Sequence, residues 1–545
     1  MFNMMKFANF SIFVIITLLS LLFCLNSFSQ SYDYLDFNQI KARVNSNGAL
    51  FHDEIVNDKP SFEVPQGLGR HTIFIANLWI AGIDENGDLH AVGPKFNQTP
   101  ENYFGPIAND YNAEDYRLKY NNVWKVGVEQ IENHISSFSK PDYEMPKSFR
   151  NWPAEGNVDN GEVANLAPYY DYNQNGKYDP ENGDSPAIKG DHAVYFIYNE
   201  SQGHNLTGGE IMGLEFHGML YGFNSTIGNV LSETVFLNYQ IINRSDHNYT
   251  DVYAGLCTDF DLGYPRDDQF GSDTTNQMMY AYNVTNIDGT EQDSLEGIAT
   301  YDSPPPVQGV VLLSHEVYAS VVPMYLGAHP AILYDFDDEV VFNILRGRSM
   351  NGHPYYDQYA MHNGDTVVTT FFQSGYPEHG SGWIPEISSY YGGGGNTLGV
   401  ISTSALTLNK GEKICLDFAL PYARDYQGTN LTALSLLRQK ASLLLEFYEE
   451  NNLGCDSYQT DAFDRLTDEN EVSVYPNPSD GYVSVDLSEL KGNNAKVFIY
   501  SSDGKLIEEK TSTKKNELFN IAKPGVYLFK VETSERSIYR RVVVM

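Results

Sequence analysis

Basic residues are scarce in this chain: 35 Lys and Arg stand against 71 Asp and Glu, for a net charge of −36. A protein that binds nucleic acid needs a cationic footprint to displace phosphate counterions, so that function class is excluded. Cysteine is scarcer still, 4 in 545 residues, which rules out a disulfide-dense scaffold. Long apolar runs are missing too. The longest, from about Phe10 to Leu25, falls short of the roughly 20 residues a spanning helix needs, ends at Asn26 and precedes no basic stop-transfer cluster. With Lys6 before it and Ser27 and Ser29 at the −3 and −1 places, it reads as a signal peptide over residues 1–29, cleaved before Gln30. Removal of Cys24 leaves Cys257, Cys415 and Cys455, an odd number of which at most one pair can bridge within a chain. Cys257, in "VYAGLC", reads as a buried thiol.

Catalytic signatures are equally thin. "HEVYA" (315–319) starts a zinc-protease pattern, but Ala319 stands where the second histidine is needed. There is no G-x-S-x-G elbow, no phosphate-binding G-x-x-x-x-G-K loop and no zinc-type cysteine spacing. His192, His217 and His379 are isolated in sequence and read as structural. Carboxylate pairs for glycoside hydrolysis leave no local spacing; Glu210 and Glu215, flanking "IMGL", are the ones to test.

What is present is aromatic and β-branched: 39 Tyr and 30 Phe, enough for large cores. Runs such as "HTIFIANLWIAGID" (71–84), "HAVYFIYNE" (192–200), "ETVFLNYQIINRS" (233–245), "DVYAGLCTDFD" (251–261), "DTVVTTFFQSG" (365–375) and "GEKICLDFALPYA" (411–423) lie between Asx- and Gly-rich turns and predict strands. In "TVFLNYQI" the alternation puts Val235, Leu237, Tyr239 and Ile241 on one face. The expected fold class is all-β, with antiparallel β-sandwiches in several domains. One helix is expected over 429–452, where Leu431, Leu434, Leu437, Ala441, Leu444 and Tyr448 form a stripe and Thr429 or Asn430 caps the start. The expected divisions are 30–215, an N-terminal β-rich region; 216–454, a second sandwich region ending in that helix; 455–470, a linker; and 471–545, a terminal module.

The terminal module differs electrically, with 11 basic and 10 acidic residues in 471–545, against 24 and 61 in residues 1–470. It has neither histidine nor cysteine, so it is poorly equipped for chemistry. Six or seven short strands with "PNPSDG", "SSDGK" and "KPGV" turns predict a small β-sandwich. "YPNPSDG", "YSSDGKLI", "IAKPGVYLFKV" and the basic closing strand "RRVVVM", in that order, resemble the type A sorting domain of type IX secretion substrates of Bacteroidetes. The matching positions are Tyr475, Pro476, Asn477, Pro478, Gly481, Asp503, Gly504, Gly525 and Tyr527; Met545 stands where lysine is frequent. The resemblance implies export through the periplasm, recognition by the type IX machinery, and a body then attached to surface lipopolysaccharide or released. Several body segments, among them "HTIFIANLWIAGIDENGDLH" and "LYDFDDEVVFNILRGRSMNGHP", resemble an uncharacterised secreted ectodomain of the same group, which implies location and not chemistry.

The strongest local chemistry is "DYNQNGKYDPENGD" (171–184). Asp171, Asn173 and Asn175 at positions 1, 3 and 5, Gly176 at 6, the Lys177 carbonyl at 7 and Asp179 at 9 follow the front of a calcium loop, whose oxygen donors suit a hard cation. Asn182 replaces the bidentate Glu at position 12, and Asp184 or Asp191 is the expected substitute ligand. A second acidic loop, 259–273, offers Asp259, Asp261, Asp267, Asp268 and Asp273. Two functions follow: a secreted, non-catalytic scaffold or adhesin, or a glycan-active hydrolase or carbohydrate binder. Trp79, Trp124, Trp152 and Trp383 are core anchors in the first and sugar-stacking platforms in the second.

Overall fold

In the strand Thr234–Asn243, residues Val235, Leu237, Tyr239 and Ile241 enter one apolar core and Phe236 enters another, so a single strand is buried on both faces. The alternation in "TVFLNYQI" thus separates two cores rather than core from water. The structure is a computed structural model and describes residues 30–53, 59–94, 101–204, 207–225, 230–289, 299–324, 337–385, 397–458, 472–475, 479, 481–488, 495–501, 505–523, 525–532 and 537–544. The expected signal peptide and most of the expected linker lie outside these residues.

The fold is all-β, with antiparallel sheets. Two nine-stranded sheets make the body. The first runs Tyr32–Phe37, Ile40–Asn45, Phe62–Glu63, His71–Ile83, Tyr249–Phe260, Thr397–Thr403 and Val317–Val321, with Leu89–Val92 added on His71–Ile83 and Leu406–Leu408 on Tyr249–Phe260. The second runs Asp268–Asp273, Met278–Asn283, Val307–Leu312, Lys413–Ala423, Thr234–Asn243, Leu214–Gly222, His192–Asn199 and Tyr103–Phe104, with Trp124–Gly127 added on His192–Asn199. Leu78, Ile80, Leu256 and Ile401 of the first sheet meet Phe196, Leu237, Tyr239 and Phe418 of the second in one core. Both sheets draw strands from either side of residue 215, which itself falls within Leu214–Gly222. The expected 30–215 and 216–454 regions are therefore interleaved, because antiparallel partners are chosen by burial and not by proximity in sequence.

The outer face of the second sheet is covered by helices Glu114–Tyr120, Val128–Ser137 and Asn430–Glu450, which contribute Tyr116, Tyr120, Ile131, Leu434, Leu437 and Leu444 to the second core. The last is the helix expected from the Leu stripe, and the Thr429 side chain caps it by accepting from Thr432 N. Such a cap contributes about 1 kcal/mol, and each buried leucine roughly 1.5–3 kcal/mol. The two earlier helices, and Asp338–Leu345 on the first sheet, were not legible as helices because they are short, with 7, 10 and 8 residues. The strand expected over 365–375 shrinks to Val368–Thr369, paired with Tyr355–Tyr356. Its Val367 and Val368 are exposed, and Phe372 turns into the core instead of extending a ladder.

Cys415 and Cys455 form a disulfide that ties the start of Lys413–Ala423 to the chain leaving the helix, while Cys257 is a buried thiol. The buried Lys189 ammonium donates to the carbonyls of Leu453, Gly454 and Ser457. Burial pushes its pKa down to about 8. Residues 455–458, expected as the head of a linker, are therefore anchored to the body.

The terminal module is a seven-stranded sandwich: Ser473–Tyr475, Tyr482–Asp486 and Asn516–Asn520 in one sheet, and Leu506–Ser512, Ala495–Ser501, Gly525–Glu532 and Ser537–Val544 in the other. Val483, Val485, Val497, Ile499, Phe519, Tyr527, Phe529, Val531 and Val542 fill it.

Candidate functional site

The loop 171–184 closes on itself through short-range hydrogen bonds. Asp171 accepts from Asn175 N (3.0 Å) and Gly176 N (2.7 Å), and Gly176 sits at φ 76°, where a side chain would be strained. The amide side chains of Asn173 (3.0 Å), Asn175 (2.8 Å) and Asn182 (2.9 Å) all converge on the Asp179 carboxylate. These donations, Asn182 first, hold that carboxyl below the usual range. Four of the expected positions, Asp171, Asn173, Asn175 and Asp179, therefore meet in one exposed turn. Lys177 contributes its backbone N–H to Asn175 Oδ1 (2.8 Å). Asp184 stands apart: it is fully buried, and its two oxygens accept from Tyr172 N (2.9 Å) and Asp179 N (2.8 Å), which makes it the clasp at the neck of the loop.

The second acidic stretch gathers only in part: Asp259, Asp261, Asp267 and Asp268 lie near enough to raise one another, and Asp273 stands apart. Asp259 belongs to the first sheet, whereas Asp268 and Asp273 lie at opposite ends of one strand of the second. Asp273 is paired with Arg438, and Asp267 accepts from Asn283 Nδ2 and Gly289 N. Asp259, Asp261 and Asp268 each keep one buried oxygen with no hydrogen-bond partner. Burial pushes all three carboxyls up, Asp261 to about 7, and it pushes Asp288 beside them to about 7 as well.

The carboxylate pair singled out for hydrolysis does not assemble. Glu210 is exposed, whereas Glu215 is fully buried and bound by His217 Nε2, Arg244 Nη1 and Ile107 N, each at 2.8 Å. Burial raises its carboxyl, but the His217 hydrogen bond, the His217 and Arg244 side chains and the Ile107 N–H outweigh that and hold it low. His192 pairs with Asn224 Oδ1 (2.8 Å), so both it and His217 are occupied. All four tryptophans are core residues, none more than 4% exposed, and Trp79, Trp124 and Trp152 donate their indole N–H to backbone carbonyls. In "HEVYA", Val317–Ala319 is strand and not the helix a zinc protease requires.

In the terminal module Tyr475 is exposed and its hydroxyl accepts from Asn516 Nδ2 (2.9 Å), while Tyr527 is buried and donates to Lys523 O (2.9 Å). Gly481, at φ 110°, accepts at its carbonyl from Ile521 N (2.7 Å), so the turn after "YPNP" is fixed to the opposite strand end. Pro476, Asn477, Pro478, Asp503 and Gly504 lie outside the described residues. The residues that sequence reasoning passed over are Asp84, Glu85 and His247, whose donor atoms meet beside the first sheet, with His90 next to Asp84. Their only local signal was the "DENGD" turn.

Residues 473–545 match the family model of the secretion system C-terminal sorting domain. No curated protein matches the chain. Among solved structures, a polysaccharide lyase aligns over 66% of this chain at 9% identity with a TM-score of 0.19, and the chain spans 37% of that protein's length. PorZ, an essential bacterial surface component of the type IX secretion system of Porphyromonas gingivalis, aligns over 94% of this chain and 75% of its own at 10% identity, with a TM-score of 0.13. Neither score reaches a shared fold. The chain carries a C-terminal type IX sorting domain and is exported to the cell surface or secreted.

Proposed function

We propose that residues 30–458 are a non-catalytic scaffold or adhesin, delivered by the type IX machinery through the terminal sorting module and either held on surface lipopolysaccharide or released. The observation that carries this reading is the sequestration of the groups that other functions need. Sugar rings stack on exposed indoles, and here every tryptophan is at most 4% exposed. General acid–base work needs a carboxyl free to exchange a proton, and Glu215 is locked between His217 and Arg244. The body also commits both faces of its second sheet to apolar cores, a construction that favours rigidity over a deep cleft. A structural calcium ion in the 171–184 loop belongs to the same reading, with Asp171, Asn173, Asn175, Asp179 and the Lys177 carbonyl as ligands and Asp184 as the clasp. Rotation of the three asparagine amides would turn oxygens toward the position their nitrogens now face. The test is a glycan array combined with a polysaccharide hydrolysis screen on the purified protein. Binding without turnover, or neither, is expected; turnover of any polysaccharide replaces this reading with the glycan-active one.

A further inference from the structure

The turn Asp84–Asp88 joins the antiparallel strands His71–Ile83 and Leu89–Val92, in which Gly82 pairs with His90. Beside it lies the loop 244–248, which leads into Tyr249–Phe260, and Thr250 pairs with Ile83. Two stretches some 160 residues apart thus bring four side chains together. Asp84 Oδ2 is 3.6 Å from His90 Nε2 and 3.6 Å from His247 Nδ1. Glu85 Oε1 is 3.2 Å from the same His247 nitrogen. One donor atom each of Asp84, Glu85 and His247 lies within 4.8 Å of the others.

His90 supplies the second, independent observation. It is 3% exposed, and neither of its ring nitrogens makes a hydrogen bond. A buried imidazole in that state is uncommon, because buried polar atoms nearly always find a partner. The ring is held by an edge contact with Tyr249, centroids 5.5 Å apart, with Nε2 turned toward Asp84. The carboxylates are oriented as well. Asp84 Oδ1 accepts from Asn86 N (2.8 Å) and Asp88 N (2.9 Å), and Glu85 Oε2 accepts from Asn248 N (3.0 Å); Asp84 Oδ2, which also accepts from Asn86 Nδ2 (3.1 Å), and Glu85 Oε1 face the histidines. Backbone amides of this kind fix ligand carboxylates in metal sites.

Ligands of a tetrahedral zinc ion, at about 2.0–2.2 Å from the metal, stand about 3.3–3.6 Å from one another. Glu85 Oε1–His247 Nδ1 at 3.2 Å and Asp84 Oδ2–His247 Nδ1 at 3.6 Å fall near that spacing within the set Asp84, Glu85 and His247, and His90 Nε2 approaches the set beside Asp84, at 3.6 Å. Two neutral imidazoles and two carboxylates also balance a divalent charge, and nitrogen donors select a borderline transition metal over calcium or magnesium. We propose that Asp84, Glu85 and His247 hold a zinc ion that staples the 84–88 turn to the 244–248 loop, with the buried His90 Nε2 drawn in beside Asp84 as its fourth ligand. Four protein ligands leave no open position, so the site is structural and not catalytic. The half-exposed Glu85 and the 40% exposed His247 give the ion its way in from solvent.

The experiment uses the full mature chain stripped with chelator. Zinc is titrated by calorimetry, and cobalt by its visible absorption, which reports tetrahedral coordination directly. One zinc per chain, a tetrahedral cobalt spectrum displaced by zinc, and a raised Tm unaffected by added calcium are expected. His247→Gln weakens zinc binding about 100-fold or more; His90→Asn abolishes the tetrahedral cobalt spectrum. Asp171→Ala with Asp179→Ala leaves zinc binding intact, which separates this site from the calcium loop. Absence of stoichiometric zinc binding, an octahedral cobalt spectrum, or undiminished binding by both histidine variants overturns the proposal.

Discussion

Arg438→Met tests how the helix Asn430–Glu450 is held to the body. The Arg438 guanidinium is paired with Asp273 and donates through Nε to Glu378 (2.7 Å) and through Nη2 to the Tyr280 hydroxyl (2.9 Å) and the Gly375 carbonyl (3.2 Å). It also lies over the Tyr376 ring at 4.7 Å. The side chains of Arg438, Asp273 and Glu378 are 11%, 2% and 5% exposed, so solvent screens this triad little. Methionine keeps the aliphatic stem and removes only the charge. Asp273 retains donors in Thr275 N, Asn276 N and Asn276 Nδ2, but Glu378 has a second buried oxygen that already lacks a partner. Removal of one member of a buried ion pair costs about 3–5 kcal/mol, and that range is expected here. The assay is urea unfolding of the purified protein, read as a shift in midpoint at constant slope. Adding Glu378→Gln to Arg438→Met should restore part of the loss, because the amide no longer leaves a charge buried. A loss below about 1 kcal/mol, the range of a surface pair, or strict additivity of Arg438→Met and Asp273→Asn refutes the reasoning.

Cys415→Ser should cost at most about 4 kcal/mol, the chain-entropy value for a 40-residue separation, and reductant should destabilise the wild type to the same level without affecting the variant. Burial holds the carboxyls of Asp261 and Asp288 at about 7 and pushes that of Asp268 well up, so the folded state keeps protons that the unfolded chain has released; stability therefore falls as pH rises from about 4 to about 7, by at most about 4 kcal/mol from Asp288. Asp268→Asn should flatten that slope and raise Tm at pH 8, since Asp268 faces Asn283 across the ladder and the amide offers a donor to the unpartnered Asn283 Oδ1; a flat wild-type profile contradicts this. Millimolar calcium should raise Tm, and Asp171→Ala plus Asp179→Ala should remove the gain; identical curves in calcium and chelator leave only a hydrogen-bonded turn. Deletion of 471–545 should strand the body in the periplasm, and cell fractionation that finds the truncated chain at the surface contradicts the sorting role.

Local pattern determined several features of this protein in advance. A strand repeats every two residues and a helix every 3.6, so the inward face of Val235, Leu237, Tyr239 and Ile241, the helix with its cap at Thr429 or Asn430 and a sorting module of six or seven short strands were legible without coordinates. The Gly176 bend and the convergence of Asn173, Asn175 and Asp179 were legible for the same reason, since their partners lie within a few residues. What periodicity cannot carry is the identity of a distant partner. Only the tertiary structure decided that Cys415 pairs with Cys455 and leaves Cys257 in the core, and that strands from both halves alternate through the same two sheets. It also set Glu215 against Arg244, and brought His247 to Asp84 and Glu85 across some 160 residues. Those choices depend on which faces must leave water together, a property of the whole packed chain that no short window of residues contains.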